Sequence, residues 1–262
     1  MIPKIIHFCW FGNKKKPKLV LDCITSWKTI LPNYEIIEWN ESNTNLDHDF
    51  VKEVYRLRKW AFVSDFIRLQ KLYEFGGIYL DTDMMLIKSI DDLLDDVCFL
   101  GAEEEYIISA GIIGAQKNNN FIDLCLKKYN FLKIHKTTDF NELAIPLLLT
   151  KTFVELYGKH NFNLIFSKNN ITIYPVTYFY PLPNRQKKDI QNYINYIEKN
   201  TYAVHLWNAS WVVPTEFDYI RDKKYALAIK TIINVIFIQK KINLEYLKKI
   251  IRHSINSFHL TK

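Results

Sequence analysis

Short apolar runs alternate, along the first half of the chain, with stretches in which hydrophobic positions recur every three or four residues. The runs "KIIHFCWF" and "YEIIEWN" predict buried strands, and "KLVLDCITSWKTI" between them has the helical period. A further stretch with helical period covers residues 59–75 and ends at a pair of glycines. This order predicts a β-α-β opening, followed by a second helix.

The second half of the chain continues the same alternation. Helices are predicted near residues 121–132 and 141–157, and strand-like runs appear at "VCFLGAEE", "SAGIIGA", "NITIYPVTYFYP" and "YAVHLWN". Strands that alternate with helices predict an α/β fold with a mostly parallel sheet. In such sheets, the ligand site lies at the carboxyl ends of the strands.

Two aspartates, Asp81 and Asp83, follow a predicted strand in "GGIYLDTDMML". If the strand continues through them, period-two alternation places both carboxylates on the same side. Two such charges repel, and a divalent cation such as Mg²⁺ or Mn²⁺ removes the conflict, with phosphate oxygens completing its coordination. The pattern therefore indicates a metal site for a phosphate-bearing ligand.

The chain contains a second D-x-D, which shows that this spacing by itself is weak evidence for a metal site. About one such pattern is expected by chance in a chain of this length, and "LDHDF" places Asp47 and Asp49 in a polar loop. We interpret that pair as helix-capping or solvated. The apolar strand before Asp81 and the Gly-Gly before that strand distinguish the first pair.

Two other groups of residues are candidates for the same site. Asp65 and Arg68 lie three residues apart on one helix face, either as a surface ion pair or as ligands for sugar hydroxyls or a phosphate. His205 ends a strand-like run in "HLWNASW", which also contains flat aromatic rings and neutral hydrogen-bond donors. A neutral imidazole there would complete a carboxylate metal site.

The composition indicates a folded chain with an uneven charge. It is 48% hydrophobic with 7 glycines and 8 prolines, and nothing in the composition marks an internal linker. We expect one domain over 1–215 and a helical extension over 216–262. From Tyr219 onward there are ten Lys or Arg and two Asp or Glu, which gives this segment a net charge of +8. The whole chain has a net charge of +7, so the residues before Tyr219 are close to neutral.

This basic extension is too short in its apolar stretches to span a bilayer, which needs roughly 20 residues. It is either a basic amphipathic segment on an anionic membrane surface or a capping helix with solvated lysines. Aromatic and basic residues are not interleaved as nucleic-acid binding requires. The four cysteines are scattered and no leader precedes the first strand, so we expect a cytoplasmic protein, which the first of these two alternatives would place at the inner face of the plasma membrane.

Several motifs together resemble a known family, the family 32 glycosyltransferases. They are "IPKIIHFCWFG", "SWK", "LPNYEIIEWN", "RKWAFVSDFIRLQKLYEFGGIYLDTDM" and "HLWNASW", in this order from Ile2 to about Trp211. This family is related to yeast-type initiating mannosyltransferases and to the catalytic domains of clostridial glucosylating toxins. The resemblance implies a GT-A fold, a nucleotide-sugar donor, Mn²⁺ or Mg²⁺ at the D-x-D, and transfer with retention of anomeric configuration.

The resemblance also implies roles for individual residues. It makes Asp81 and Asp83 the catalytic pair, with Asp83 as a direct metal ligand, Asp81 on the metal and the donor ribose, and His205 as a late metal ligand. The residues that it places on the donor are Trp10, Ser64, Asp65, Arg68, Tyr79, Asp81, Asn208, Ser210 and Trp211. No covalent nucleophile is assigned, and Glu103, Glu104 and Glu105 are either carboxylates of the site or a solvated acidic turn.

The expected function is transfer of a hexose or N-acetylhexosamine, from a UDP-sugar in preference to GDP-mannose, to a glycan or lipid-linked acceptor in surface polysaccharide synthesis. One alternative is a non-catalytic sugar-binding or assembly protein of the same fold. Another is a D-x-D phosphatase, which is disfavoured because Met85 stands where such enzymes have Thr or Val and no G-D-x-x-x-D follows.

Overall fold

The computed structural model describes residues 1–135, 138–208, 216–221, 223–238 and 242–259. The chain divides into two compact units, Met1–Asn208 and Ala209–Lys262, and each is described by itself. The division at residue 215 into a domain and a helical extension stays a prediction.

The described residues of the first unit form two sheets. Their strands are β1 (Ile5–Cys9), β2 (Glu35–Trp39), β3 (Gly77–Leu80), β4 (Met84–Leu86), β5 (Cys98–Glu104), β6 (Ile107–Ala115), β7 (Phe166–Lys168), β8 (Ile171–Tyr174) and β9 (Ala203–His205). The larger sheet has the order β2-β1-β3-β6-β5-β8-β7, and β4 pairs with β9 in the smaller one.

The larger sheet is mixed and mostly parallel. Strand β1 pairs in parallel with β2 and β3, and β5 pairs in parallel with β8. Strand β6 is antiparallel to both of its neighbours, and β7 is antiparallel to β8. Five of the seven strands described in this sheet therefore run in one direction, which confirms the predicted α/β class with a mostly parallel sheet.

Helices cover both faces of this sheet. They are α1 (Lys18–Ile30), α2 (Asp49–Arg56), α3 (Trp60–Phe75), α4 (Asn120–Tyr129), α5 (Ile145–Tyr157) and the short α6 (Val176–Phe179). One hydrophobic core joins the sheet to α2, α3, α4 and α5, and a second joins its other face to α1, α6 and the β4–β9 pair. Burial on both faces explains why the central strands have apolar runs and not alternating patterns.

The connection between α3 and β3 depends on two glycines with positive φ. Gly76 and Gly77 have φ of 69° and 102°, a region that side-chain-bearing residues rarely adopt. A Cβ atom on Gly76 would lie 2.7 Å from the Lys117 backbone nitrogen, and one on Gly77 would lie 2.7 Å from the Ile5 carbonyl oxygen. The helix therefore passes into the central strand without a loop, and this places Asp81 at the end of β3.

Strand β3 ends at Leu80, before the aspartates, so the assumption that the strand continues through them is wrong. Asp81, Thr82 and Asp83 form a tight turn, in which the Met84 backbone nitrogen donates to the Asp81 carbonyl oxygen at 2.9 Å. The two carboxylates are brought together by this turn and not by strand alternation.

Most of the described residues of the second unit are helical. They form α7 (Glu216–Arg221), α8 (Tyr225–Ile233), a π-helical turn over Asn234–Ile238 that continues α8, and α9 (Leu244–His259). Helix α7 packs against both α8 and α9. No described helix combines the length and the hydropathy that crossing a bilayer requires.

A buried histidine, His7, links β1 to neighbouring elements. Its Nε2–H donates to the Gly76 carbonyl oxygen at 2.8 Å, and its Nδ1 accepts from the Trp39 indole N–H at 3.1 Å. These two bonds suit only the neutral imidazole, since the protonated ring has no acceptor. Burial lowers the pKa of His7 from 6.5 to about 4, and the nearby Lys71 adds to this effect while the bond to Gly76 opposes it.

We expect acid to destabilise the fold through His7. Below pH 6.5 the unfolded chain binds a proton at His7 and the folded chain does not, so the free energy of unfolding falls as the pH drops towards 4. A difference of this size amounts to about 3 kcal/mol between pH 7.5 and pH 4. Urea unfolding at several pH values measures the loss. In the variant His7→Gln, the free energy of unfolding should depend less steeply on pH than in the native chain. In His135→Gln, which changes an exposed histidine, the pH dependence should equal that of the native chain. If the free energy of unfolding fell equally with pH in His7→Gln and in the native chain, His7 would not be the source of the acid sensitivity.

Candidate active site

Two distant segments meet at the carboxyl end of β3. The turn that carries Asp81 and Asp83 leads into β4, and β4 pairs with β9 so that Met84 lies opposite His205. The Leu206 backbone nitrogen also donates to the Asp83 carbonyl oxygen at 2.9 Å. The short β4–β9 pair therefore brings a histidine 122 residues further along the chain to the aspartate turn.

Asp81, Asp83 and His205 form a cluster that can hold a metal ion. Each offers one ligand atom, and these atoms lie within 4.8 Å of one another. His205 Nε2 is 3.0 Å from Asp83 Oδ1. Adjacent ligands of an octahedral cation with bonds of about 2.1 Å are separated by about 3 Å, so this spacing fits a shared Mg²⁺ or Mn²⁺. The predicted metal ligands are therefore brought together.

His205 lies in a buried and acidic environment. Its ring is buried, and its Nδ1 has no hydrogen-bond partner among the described residues. Burial by itself lowers the pKa of His205, but the carboxylates of Asp83, Asp81 and Glu103 outweigh it and raise the pKa above 6.5. Carboxylates that lie this close together in a buried site repel one another. A cation bound to the cluster would offset the surplus negative charge.

Arg68 and Tyr79 hold the carboxylate of Asp81 in position. Its guanidinium binds Asp81 Oδ1 at 3.1 Å, and it donates to Asp65 Oδ1 at 2.9 Å and to the Ala110 carbonyl oxygen at 2.8 Å. It also lies over the ring of Tyr79, 4.3 Å from the centroid, while the Tyr79 hydroxyl donates to Asp81 Oδ1 at 3.0 Å. The carboxylate of Asp81 therefore has a defined orientation before any ligand binds.

Asp65 and Arg68 are both buried, so the alternative of a surface ion pair is wrong. Burial raises the pKa of the Asp65 carboxyl to about 7, with Arg68 opposing and Asp81 adding to the rise. The pKa of Arg68 is raised, because the carboxylates of Asp81 and Asp65 outweigh its burial. Arg68 is thus a permanent cation between two acidic groups.

Glu103 is distinguished from its acidic neighbours by irregular strand pairing. In the β5–β6 ladder, Ala102 pairs with Ile108 and Glu104 with Ile107, so Glu103 is an extra residue in a bulge. Glu103 is half-buried, whereas Glu104 is exposed. Burial raises the pKa of Glu103, and a hydrogen bond with Ser109 and the nearby His205 oppose the rise. Bulges of this kind often redirect a side chain next to a functional site.

The other predicted donor-binding residues differ in how far the structure describes them. Trp10 follows β1, and its indole N–H donates to the Lys14 carbonyl oxygen at 2.6 Å. Ser64 lies one turn before Arg68, whose Nε–H donates to the Ser64 carbonyl oxygen at 3.3 Å. Asn208 is partly exposed at the end of the first unit. Ser210 and Trp211 lie outside the described residues, and the donor-binding roles of all these residues stay predictions.

Two residues at the site were missed by the sequence analysis. The carbonyl oxygen of Gly111 on β6 accepts from the Asp81 backbone nitrogen at 2.8 Å. A Cβ on Gly111 would lie 3.0 Å from the Tyr180 hydroxyl and 3.4 Å from Asp81 Oδ2. A glycine inside a strand pattern signals such a close approach. Tyr180, whose ring centroid is 5.7 Å from that of His205, has no comparable signal in its local sequence.

The second D-x-D is confirmed as a solvated pair at the start of a helix. Asp47 and Asp49 are exposed, and the His48 side chain caps α2 by accepting from the Phe50 backbone nitrogen. Within the described residues, neither aspartate belongs to a metal-binding cluster.

Two family models match the chain. The glycosyltransferase sugar-binding region containing the DXD motif matches residues 17–100, and the alpha 1,4-glycosyltransferase conserved region matches residues 114–226. The first match contains the aspartate turn and Arg68, and the second contains His205.

Curated relatives match over part of their length. Lactosylceramide 4-alpha-galactosyltransferase of Rattus norvegicus is 29% identical over 157 residues, which cover 56% of this chain and 40% of the relative. The Homo sapiens protein of the same name is 28% identical over 56% of this chain and 41% of its own length. Human alpha-1,4-N-acetylglucosaminyltransferase is 26% identical over 69% of this chain and 50% of its own length. The chain thus spans about two fifths of the length of the first two relatives.

Solved structures also resemble the chain. The PaToxG glycosyltransferase is 20% identical, with a TM-score of 0.47 over 60% of this chain and 70% of its own. The galactosyltransferase LgtC with donor and acceptor sugar analogs is 15% identical, with a TM-score of 0.35 over 66% and 74%. The two family matches and the curated relatives together support membership of the glycosyltransferases.

Proposed function

We propose that this chain is a metal-dependent, retaining glycosyltransferase that moves a hexose or N-acetylhexosamine from a nucleotide-sugar to a glycan or lipid-linked acceptor. The observation that carries the proposal is the cluster of Asp81, Asp83 and His205 at the carboxyl end of β3. This is the edge of a mostly parallel sheet where ligands bind.

The residues of the cluster would hold Mn²⁺ or Mg²⁺. A bound cation supplies positive charge to the diphosphate leaving group of the donor. Arg68 is already engaged by Asp65, Asp81 and the Ala110 carbonyl oxygen, so its role is to orient Asp81 and to balance the carboxylates. We assign binding of donor-sugar hydroxyls to Asp65, with Trp10, Ser64, Asn208, Ser210 and Trp211 as further donor-binding residues.

The relatives guide the choice of donor. Their names specify a galactosyltransferase and an N-acetylglucosaminyltransferase that form α-1,4 linkages. Galactose and N-acetylglucosamine are both carried by UDP in an α linkage, so an α product formed from such donors means retention. We therefore favour a UDP-sugar over GDP-mannose, and we propose a role in surface polysaccharide synthesis at the cytoplasmic face of the plasma membrane.

The test of this function is release of nucleoside diphosphate from UDP-galactose, UDP-N-acetylglucosamine, UDP-glucose and GDP-mannose. The expected result is release from one UDP-sugar that requires Mn²⁺ or Mg²⁺ and stops with a chelator. NMR of the product then gives its anomeric configuration. Binding of a sugar ligand without turnover of any donor would favour the non-catalytic alternative of the same fold.

Of the three consecutive glutamates, Glu103 is the one that we expect to matter for turnover. Its half-buried carboxylate interacts electrostatically with His205 and Asp81. The variant Glu103→Gln keeps the shape and removes the charge, and it should lower kcat about 100-fold or more, which is the lower end of the range for a positioned acid or base. Steady-state kinetics measure the effect. Glu104→Gln, at an exposed position, is the matched control, and equal kcat values for the two variants would exclude a role for Glu103.

A further inference from the structure

The second unit exposes large apolar side chains along α8 and the turn that continues it. Ile229, Ile233 and Phe237 recur four residues apart, and all three are exposed, Phe237 to 72%. Residues at this spacing lie on the same side of a helix. Lys230, next to Ile229, is also exposed. One side of this segment is therefore apolar and bordered by a cation.

Helix α9 carries a second exposed apolar stripe. Leu244, Leu247 and Ile251 are spaced by three and four residues, and Leu244 is 69% exposed. Lys248 and Arg252 each follow a residue of this stripe by one position and are exposed as well. The stripe is thus flanked along one side by positive charge.

The opposite side of α9 faces the rest of its unit. Its more buried positions are Tyr246, Ile250, His253, Ser254 and Ser257. Within its own unit, α9 therefore packs through these positions and not through the apolar stripe of Leu244, Leu247 and Ile251.

We propose that the second unit binds the surface of a bilayer that contains anionic lipids, with the apolar side chains of α8 and α9 entering the interface and the neighbouring cations contacting headgroups. The net charge of +8 from Tyr219 onward complements such a surface. Cores of protein interfaces are depleted in lysine. The lysines beside both stripes therefore favour lipid over a protein partner.

Membrane binding would hold the proposed glycosyltransferase next to a lipid-linked acceptor. This benefit rests on the proposed function, whereas the binding itself does not. The binding itself is measured without donor or acceptor. A failure of membrane binding and a failure of catalysis are therefore separate results.

The experiment is co-sedimentation of the full chain with vesicles of phosphatidylcholine alone or of phosphatidylcholine mixed with phosphatidylglycerol. Binding is expected with the mixed vesicles and not with the neutral ones, and added salt should weaken it because the Debye length shortens. Equal binding to both kinds of vesicle, or to neither, would overturn the proposal. Self-association in place of vesicle binding would overturn it in favour of a second copy.

Matched variants test the two components of the surface. Removing two charges by Lys248→Gln with Arg252→Gln should weaken binding to mixed vesicles about 30-fold, since each cation near such a surface contributes about fivefold. Removing two apolar side chains by Leu247→Asn with Ile251→Asn should weaken it at least about tenfold. The control is Phe131→Asn with Leu164→Asn, two exposed apolar residues of the first unit.

Circular dichroism shows that each variant is folded. Loss of vesicle binding in both second-unit variants, with retention in the control, supports the proposal. Loss in all three variants, or in none, contradicts it.

Discussion

Replacing Asp83 with Asn should abolish binding of a divalent cation and lower glycosyl transfer about 1,000-fold or more. Asp83 is buried, and its carboxylate is one of three ligand groups within 4.8 Å. Asparagine retains an oxygen that accepts from His205 but lacks the negative charge that a hard cation requires. Loss of electrostatic stabilisation of the leaving group costs on the order of 10² to 10³ in rate for a single donor, and more when a cation is lost.

Two measurements report the two parts of this effect, and circular dichroism shows whether the variant is folded. Titration calorimetry with Mn²⁺ reports binding without turnover, and nucleoside diphosphate release reports activity. Asp47→Asn removes the same charge from the exposed D-x-D in "LDHDF", so it should match the native chain in both. Near-normal turnover of Asp83→Asn would contradict the metal assignment.

Replacing Arg68 with Met should lower the free energy of unfolding by about 3–5 kcal/mol, the usual cost of breaking a buried ion pair from one side. Arg68 binds both Asp65 and Asp81 and is almost fully buried. Without the guanidinium, the Asp65 carboxylate remains buried with no cation, and the Ala110 carbonyl oxygen loses its donor. Urea unfolding at neutral pH measures the loss.

The chain contains a matched control for this variant. Arg56 pairs with Glu53 at the same three-residue spacing on α2, but both are exposed. Arg56→Met should therefore leave the free energy of unfolding almost unchanged, because water screens such a pair. Combining Asp65→Asn with Arg68→Met should recover part of the stability, since the neutral side chain costs less to bury. Equal losses for Arg56→Met and Arg68→Met would show that burial of the Arg68 pair has no energetic consequence.

Local patterns in the sequence were enough to predict most elements of the fold. The helical period of "KLVLDCITSWKTI" predicted α1 with its observed bounds, and the glycine pair after residue 75 correctly ended α3. The apolar runs predicted the central strands, because a strand covered on both faces leaves few positions for polar side chains. The motif resemblance also indicated a glycosyltransferase, which the two family models support.

The sequence by itself thus determined the order of elements, the glycosyltransferase class and the candidate ligands, since periodicity and turn residues act over a few positions. Only the tertiary structure decided that a turn and not a strand joins Asp81 to Asp83, and that Arg68 is buried between two carboxylates. It also selected Glu103 from three consecutive acidic residues. The contact of Asp83 with His205 depends on the pairing of β4 with β9 across 122 residues. Such pairing is set by packing of the whole core, and no local pattern of residues encodes it.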